Sequence, residues 1–341
     1  MDSLFTRRDS ESVLLDFMNE FKEKTIPLEI RTDRFTDCTS RILQFRYKLP
    51  DTSLDNAAIE KSKETCPFCP ELRDSFTPKF SSAVAPEGRI VHNGATVLPN
   101  AFPYSRYCGV TLFSDDHFLA LDQFTSDILY NAFCAGLIYI DRVKKSDPAV
   151  MHASINWNYL MSAGGGLYHP HLQVVANRQP SHFHKHLLDA SVAYQNTSNR
   201  NYWRDLSDYE KRKQERYLFT EGNIPFFSVF SPRGMFGEIL ALFTDMSCMG
   251  DISEADWKSF SSGLSRILRC LHRLNLNSLN MSLLLNREAC RGFWIQARIT
   301  PRMSLPPWGT SDVNYFEKGH DEIIVVMPPE ILAEEIKGEK R

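Results

Sequence analysis

The run Gly164-Gly165-Gly166-Leu167-Tyr168-His169-Pro170-His171-Leu172-Gln173-Val174-Val175 concentrates reactive side chains more than any other part of this 341-residue chain. Successive side chains of a strand point to opposite faces, so His169, His171 and Gln173 share one face. Pro170, Leu172 and Val174 take the other. Glycine lets backbone come close to a ligand, and three in succession beside two imidazoles and an amide suit the handling of phosphate. The same pair of histidines also suits a metal site or a plain surface strand, and the segment alone leaves these readings open.

Cys66-Pro67-Phe68-Cys69 supplies the second constellation. A Cys-x-x-Cys knuckle brings two thiolates within reach of one ion and commonly opens a tetrahedral zinc site. Two further ligands must come from His92, His117, His152, His169, His171, His272 or His320, or from His182, His184 and His186. A Cys66/Cys69/His117/His169 set would be closed, and hence structural. His182-x-His184-x-His186 falls in a polar segment that reads as helix, where i and i+2 do not share a face, so it reads as solvated surface.

These residues need elements to position them. Residues 1–27 read as an N-terminal amphipathic helix. Strands are expected at Leu28–Arg31, Arg41–Arg46, Arg89–Val91, Ala95–Leu98, Val110–Phe113, Ala153–Tyr159 and Leu172–Ala176, with a polar linker from Leu49 to Glu64. Ile128, Leu129, Ala132, Phe133, Leu137 and Ile140 recur at helical spacing and predict a helix over 126–145. The order then repeats about 130 residues later. Val110-Thr111-Leu112-Phe113 is echoed by Leu240-Ala241-Leu242-Phe243, and helix 126–145 by Glu254–Leu274. Ala153-Ser154-Ile155-Asn156 is echoed by Leu279-Asn280-Met281-Ser282, and the His-Pro-His strand by Phe293-Trp294-Ile295-Gln296. In this alignment Gln296 stands where Gln173 does and Trp294 where His171 does. The expected architecture is α+β: a duplicated unit of antiparallel sheet packed with helices. A first domain spans 28–180, a helical linker 181–219, and a second domain without the histidine 220–341.

Composition narrows the class. With 43% hydrophobic and 24% charged residues the chain has material for a globular core. A formal charge of −3 provides no basic field for nucleic acid. No run of 18 apolar residues is present, so no membrane span is expected. The N-terminus lacks the uninterrupted apolar stretch of an export signal. Most of the eight cysteines stand singly in apolar surroundings, which fits a reduced, cytoplasmic protein.

Taken in order, Cys66-Pro67-Phe68-Cys69, Asn100-Ala101-Phe102-Pro103, Ser114-Asp115-Asp116-His117, Asn158 and His169-Pro170-His171-Leu172-Gln173 resemble the galactose-1-phosphate uridylyltransferase family, of the histidine-triad superfamily. The motifs cover about residues 28–180, and the repeat carries the likeness through 220–335. The resemblance implies a duplicated HIT-like fold and a zinc ion on Cys66, Cys69, His117 and His169. It implies that His171 attacks the α-phosphorus of a nucleoside diphosphate sugar and becomes nucleotidylated. Gln173 would then bond a phosphoryl oxygen, and Asn100 and Asn158 would bind nucleotide or phosphate. Neutral imidazole is a competent nucleophile near pH 7, and a covalent intermediate divides one difficult transfer into two. Pro170 stiffens the strand between ligand and nucleophile. A homodimer is the family's usual state.

The sequence departs from the family at three places. Gly166 stands where the uridylyltransferases carry a serine, and the backbone N–H groups of Gly164, Gly165 and Gly166 are the candidates to replace that hydroxyl. The C-terminal half shows no His-x-His pair for a second metal. For the family's basic phosphate contacts near the N-terminus, Arg46 and Lys48 are the nearest candidates. Three functions compete: nucleotidyl transfer from a nucleoside diphosphate sugar, of UDP-hexose type, to a sugar 1-phosphate; phosphorolysis or hydrolysis of a nucleotide or dinucleotide at the same histidine; and a zinc-stabilised binding protein without turnover. Retention of both His171 and Gln173 argues against the last.

Overall fold

The computed structural model describes residues 4–43, 54–305 and 310–338. In chain order its elements are β1 (Phe5–Asp16), β2 (Lys22–Asp33), β3 (Thr39–Ile42), α1 (Asn56–Lys63), α2 (Pro70–Phe76), β4 (Ile90–His92), β5 (Ala95–Pro99), β6 (Tyr107–Leu112), α3 (Ser126–Ser146), β7 (His152–Tyr159), β8 (His171–Asn177), α4 (His182–Ser198), α5 (Tyr202–Lys213), β9 (Tyr217–Glu221), β10 (Ile224–Ser228), β11 (Ile239–Leu242), α6 (Glu254–Arg273), β12 (Ser278–Asn286), β13 (Gln296–Arg302), β14 (Ser304–Leu305), β15 (Thr310–Ser311), α7 (Tyr315–Gly319), β16 (Glu322–Val325) and α8 (Pro329–Lys337).

The duplication is visible in one ten-stranded sheet of order β4-β5-β6-β8-β7-β12-β13-β11-β10-β9. Each half runs inward to the seam, where β7 and β12 pair antiparallel from Leu279↔Tyr159 to Asn286↔His152. The alternation of β7 is strict: Ala153, Ile155, Trp157 and Tyr159 are buried, while His152, Ser154, Asn156 and Asn158 are half-buried. The buried face receives α3 and α6. Thr125 caps α3 by accepting from Ile128 N, and Ser253 caps α6 by accepting from Asp256 N. Leu129, Phe133, Ile140 and Val143 of α3 join Phe260, Leu264, Ile267 and Leu271 of α6 in a single core around Trp157 and Phe124. The opposite face keeps its polar side chains at the centre of the sheet.

The structure corrects four expectations. The N-terminal segment is a hairpin and not a helix: β1 and β2 pair from Phe5↔Asp33 to Asp16↔Lys22. Its charges match across the ladder, with Arg7 to Glu29 at 2.9 Å and Lys24 to Asp16 at 2.9 Å, and a helix would have separated them. The boundary expected at residue 28 therefore falls inside β2. The linker 49–64 contains α1, capped by Asp55. The second half is not self-contained, because β16 pairs in parallel with β3 in a four-stranded sheet of order β1-β2-β3-β16. Finally, His184 is not solvated: it is 2% exposed and lies against His152 and Phe293, whereas His182 is exposed. The predicted strand Arg41–Arg46 is seen as β3 as far as Ile42. Arg46 and Lys48 lie outside the described residues.

Candidate active site

Helix α1 ends just before the knuckle, and α2 begins on it with Cys69 as its N-cap residue and Pro70 at its first position. The Arg73 guanidinium turns back to donate twice to Phe68 O, at 2.9 and 2.8 Å, and meets Asp115 at 2.7 Å. The knuckle is thereby tied to the loop that carries His117. Cys66, Cys69, His117 and His169 are all buried, and their ligand atoms lie within 4.8 Å of one another. Cys69 Sγ stands 3.3 Å from His117 Nδ1 and 3.7 Å from His169 Nδ1. Tetrahedral bonds of about 2.0–2.3 Å require ligand edges of about 3.3–3.8 Å, so the set has the size of a single ion site.

Outer contacts fix which nitrogen faces inward. His117 Nε2 donates to Ile59 O at 3.1 Å and lies 2.8 Å from Ser62 Oγ, while His169 Nε2 donates to Ser114 O at 3.2 Å. A carbonyl only accepts, so each Nε2 carries the proton and each Nδ1 turns its lone pair to the thiols. Burial together with neighbouring Cys66 pushes the Cys69 thiol up to about 11, and burial pushes His169 down to about 4. Four buried nitrogen and sulfur donors crowded together suit a cation, which reverses the bias on the Cys69 thiol.

His171 begins β8 beyond Pro170. Its Nδ1 donates to His169 O, two residues back along the chain, at 2.9 Å, which leaves the Nε2 lone pair free. The Phe68 ring meets the imidazole edge-on with centroids 5.2 Å apart, and His171 is 8% exposed. Burial lowers its pKa and keeps the ring neutral. One step along the same face, Gln173 Oε1 accepts from Tyr104 OH at 2.5 Å. Across the ladder Asn156 pairs with Gln173 and donates to Gln173 O at 3.3 Å. Asn158 lies two residues further along β7 on that face, and its Oδ1 accepts from Asn280 Nδ2 at 2.8 Å.

The glycine run follows a turn that is strained at Leu160, with φ 67° and ψ 170°, a region that glycine alone visits freely. Gly164 has φ +81°, and a Cβ on Gly165 would strike Asn158 O at 2.8 Å and Leu160 O at 2.9 Å. Both positions require glycine. Gly166 does not, since a Cβ there meets nothing within 4 Å. Structure thus brings Cys66, Cys69, His117, His169, His171, Gln173, Asn158 and the glycine run to one side of β7 and β8. Asn100 is apart from them: its Oδ1 accepts from Phe102 N at 2.9 Å and its Nδ2 donates to Cys108 Sγ at 3.4 Å, shaping the loop that carries Tyr104.

Known structures share this arrangement of elements. An ADP-glucose phosphorylase from Arabidopsis thaliana with bound ADP-glucose superposes with a TM-score of 0.69, at 16% identity over 92% of this chain and 100% of that one. A uridylyltransferase structure gives 0.65, at 16% identity over 91% of this chain and 97% of the other. The chain has the uridylyltransferase fold. In sequence, an uncharacterized protein of Archaeoglobus fulgidus is 29% identical over 312 residues, 91% of this chain and 92% of its own. No family model matches the chain.

Within the uridylyltransferase fold the ladder shows how the second copy differs from the first. Leu112 pairs with His171 and Val110 with Gln173, and in the second half Leu242 pairs with Gln296 and Leu240 with Arg298. Gln296 therefore occupies the place of His171, and Arg298 that of Gln173. The sequence echo that set Trp294 against His171 was out by two residues, a slip that leaves every side chain on its face and so escapes the alternation pattern. The local bonds agree: Gln296 Nε2 donates to Trp294 O, two residues back, as His171 Nδ1 does to His169 O. Arg298 is tied to Glu238 at 2.7 Å and covered by Phe183 of α4. Sequence reasoning missed Tyr104, Ser62, Asn280 and Arg302. Asn280 stood in the repeat echo, and Tyr104 follows the Asn-Ala-Phe-Pro motif by one residue, but neither spacing shows what it touches. Among the described residues, no helix is long and apolar enough to cross a membrane.

Proposed function

We propose that this protein is a nucleotidyltransferase in which His171 Nε2 attacks the α-phosphorus of a nucleoside diphosphate sugar, of UDP-hexose type. The N–P bond forms as the bond from the α-phosphorus to the bridging oxygen breaks, and sugar 1-phosphate leaves. In the second step a phosphate oxygen of an incoming sugar 1-phosphate attacks the same phosphorus and the N–P bond breaks, restoring neutral His171. One observation carries this reading: Nδ1 of His171 is committed to a carbonyl that can only accept, so the nucleophilic lone pair sits on Nε2. Phosphoryl chemistry then demands positioning and charge stabilisation more than additional reactive groups. Gln173 Nε2 and Asn158 Nδ2 donate to phosphoryl oxygens, the N–H groups of Gly164, Gly165 and Gly166 line the approach, and Asn100 holds the loop that closes over the nucleotide.

Cys66, Cys69, His117 and His169 would hold zinc, which would supply a structural tie. Through His169 O that tie orients the His171 ring. A homodimer belongs to this reading, and sedimentation velocity tests it. A second acceptor is favoured by one feature: Gly166 offers no hydroxyl where a sugar phosphate would be bound, so inorganic phosphate, giving a nucleoside diphosphate, is the alternative acceptor.

Intact-protein mass after mixing with a panel of nucleoside diphosphate sugars decides the matter. A nucleotide adduct lost in His171→Ala is expected, and its discharge by sugar 1-phosphate or by phosphate names the acceptor. Absence of adduct and of product with every nucleotide leaves the binding-protein reading and overturns both enzymatic ones.

A further inference from the structure

The front of the sheet carries a hydrogen-bonded line running from the silent copy to the site. Arg302 Nε donates to Asn280 Oδ1 at 2.9 Å; Asn280 Nδ2 donates to Asn158 Oδ1 and to Ala163 O, each at 2.8 Å. Arg302 is 8% exposed and is held on its far side by Glu317 at 3.1 Å and Asp312 at 3.4 Å. The polarity of this line is not arbitrary. Guanidinium has donors only, so the Asn280 atom facing Arg302 must be oxygen. Ala163 O accepts only, so the atom facing it must be nitrogen. Both ends give the same orientation for Asn280, and the Asn158 atom opposite its nitrogen must then be Oδ1. Asn158 Nδ2, with no partner among the described residues, is left to point a donor along the face of His171.

We infer that Asn280 and Arg302, from the copy without a nucleophile, are positioning residues that fix the amide of Asn158 with its N–H2 toward the phosphates. Asn280 also holds Ala163, the residue before the glycine run, so one side chain aligns two sets of donors. If the Asn158 amide turned over, it would face an anionic ligand with an oxygen, replacing an attraction by a repulsion. This rests on the nucleotide reading above only for the identity of the ligand.

The test uses the full-length protein, with ADP and UDP as probes and adenosine and uridine as phosphate-free controls. In calorimetry Asn280→Ala weakens diphosphate binding about tenfold and nucleoside binding less than about twofold. In an Asn158→Ala background the same substitution costs less than about twofold, because the group it orients is gone. Thermal unfolding confirms that the variants fold. An equal loss in both backgrounds would make Asn280 a general structural support and overturn the inference. A second readout is independent of ligand: the Asn158 side-chain amide resonances, assigned by their disappearance in Asn158→Ala, shift in Asn280→Ala and Asn280→Asp. If no diphosphate binds the native protein, the function proposed above fails, while unshifted Asn158 resonances defeat the relay itself.

Discussion

Removal of the metal is the perturbation that best separates the roles of the knuckle and the sheet. Between Asn56 and Phe76 the only buried hydrophobic side chain apart from the two cysteines is Ile59, 4% exposed. Its burial is worth about 1.5–3 kcal/mol. Fixing backbone costs about 1–2 kcal/mol per residue, and α1 and α2, of 8 and 7 residues, are too short to persist alone. Structural zinc contributes about 10–16 kcal/mol in small domains. An ion held by Cys66, Cys69, His117 and His169 would therefore decide whether this segment is ordered, whereas the core of the ten-stranded sheet and its helices is built without those residues. Chelation is expected to release one equivalent of metal. Amide exchange across 56–76 should then rise at least about 100-fold, with β7, β8, β12 and α3 still protected and the main unfolding transition shifted by only a few degrees. With Phe68 and the His169 carbonyl no longer held, the nucleotidylation yield at His171 falls with the metal content. Full loss of metal with unchanged exchange over 56–76 would refute the reasoning. So would a collapse of the whole sheet, since that would make the ion part of the central core.

The glycine run gives a graded series: Gly166→Ser folds with unchanged stability, while Gly165→Ala, whose Cβ meets two carbonyl oxygens, loses about 1–3 kcal/mol in urea unfolding. Tyr104→Phe removes the donor on Gln173 Oε1 and lowers turnover about 3–10-fold, the strength of one hydrogen bond; a further loss of that size in Gln173→Ala would contradict this coupling. Glu210 is buried against Arg216 with its Oε2 unpartnered, and burial pushes its pKa up to about 7. The folded state then holds a proton that the unfolded chain has released. Stability is fully present below pH 4.5 and is lost as pH rises through about 7; Glu210→Gln should flatten that slope, as measured by unfolding at about pH 5 and about pH 7.5.

Much of the site was legible because its chemistry depends on residue type at short spacing. Cys66 and Cys69 are three apart and His169, His171 and Gln173 alternate on a strand, so local geometry alone puts them together. His117 lies 52 residues from His169 in the chain but only across the pocket in space, and only the resemblance could assign it. The hairpin β1–β2 was not legible. Its first strand is exposed along almost its whole length, so no alternation marks it, and the Val13-Leu14-Leu15-Asp16-Phe17-Met18 cluster fits a helix face equally well. What decides the structure is the ladder to β2 and its cross-strand ion pairs. His184 looked solvated for the opposite reason: its neighbours His182 and Lys185 are exposed, and its own burial comes from His152 and Phe293, far away in sequence.

The two-residue slip in the repeat has a consequence for how the two copies differ. Gln296 stands in the place of His171, so a single substitution to histidine would restore the residue type. It would not restore a site. Gln296 is fully buried, and its Oε1 accepts from Arg298 Nε at 3.1 Å. Arg298 in turn neutralises Glu238, which is 1% exposed. Changing Arg298 to glutamine, to match Gln173, would leave that carboxylate buried without its charge partner, a loss of about 3–5 kcal/mol. Helix α4 would still cover the position through Phe183. Gln296→His is thus expected to fold less stably and to accept no nucleotide, and the chain carries one adduct, at His171, in intact-mass spectra of native and variant protein alike. A second adduct in Gln296→His would show that the second copy lacks only the histidine, and that neither burial nor the Arg298–Glu238 pair closes it.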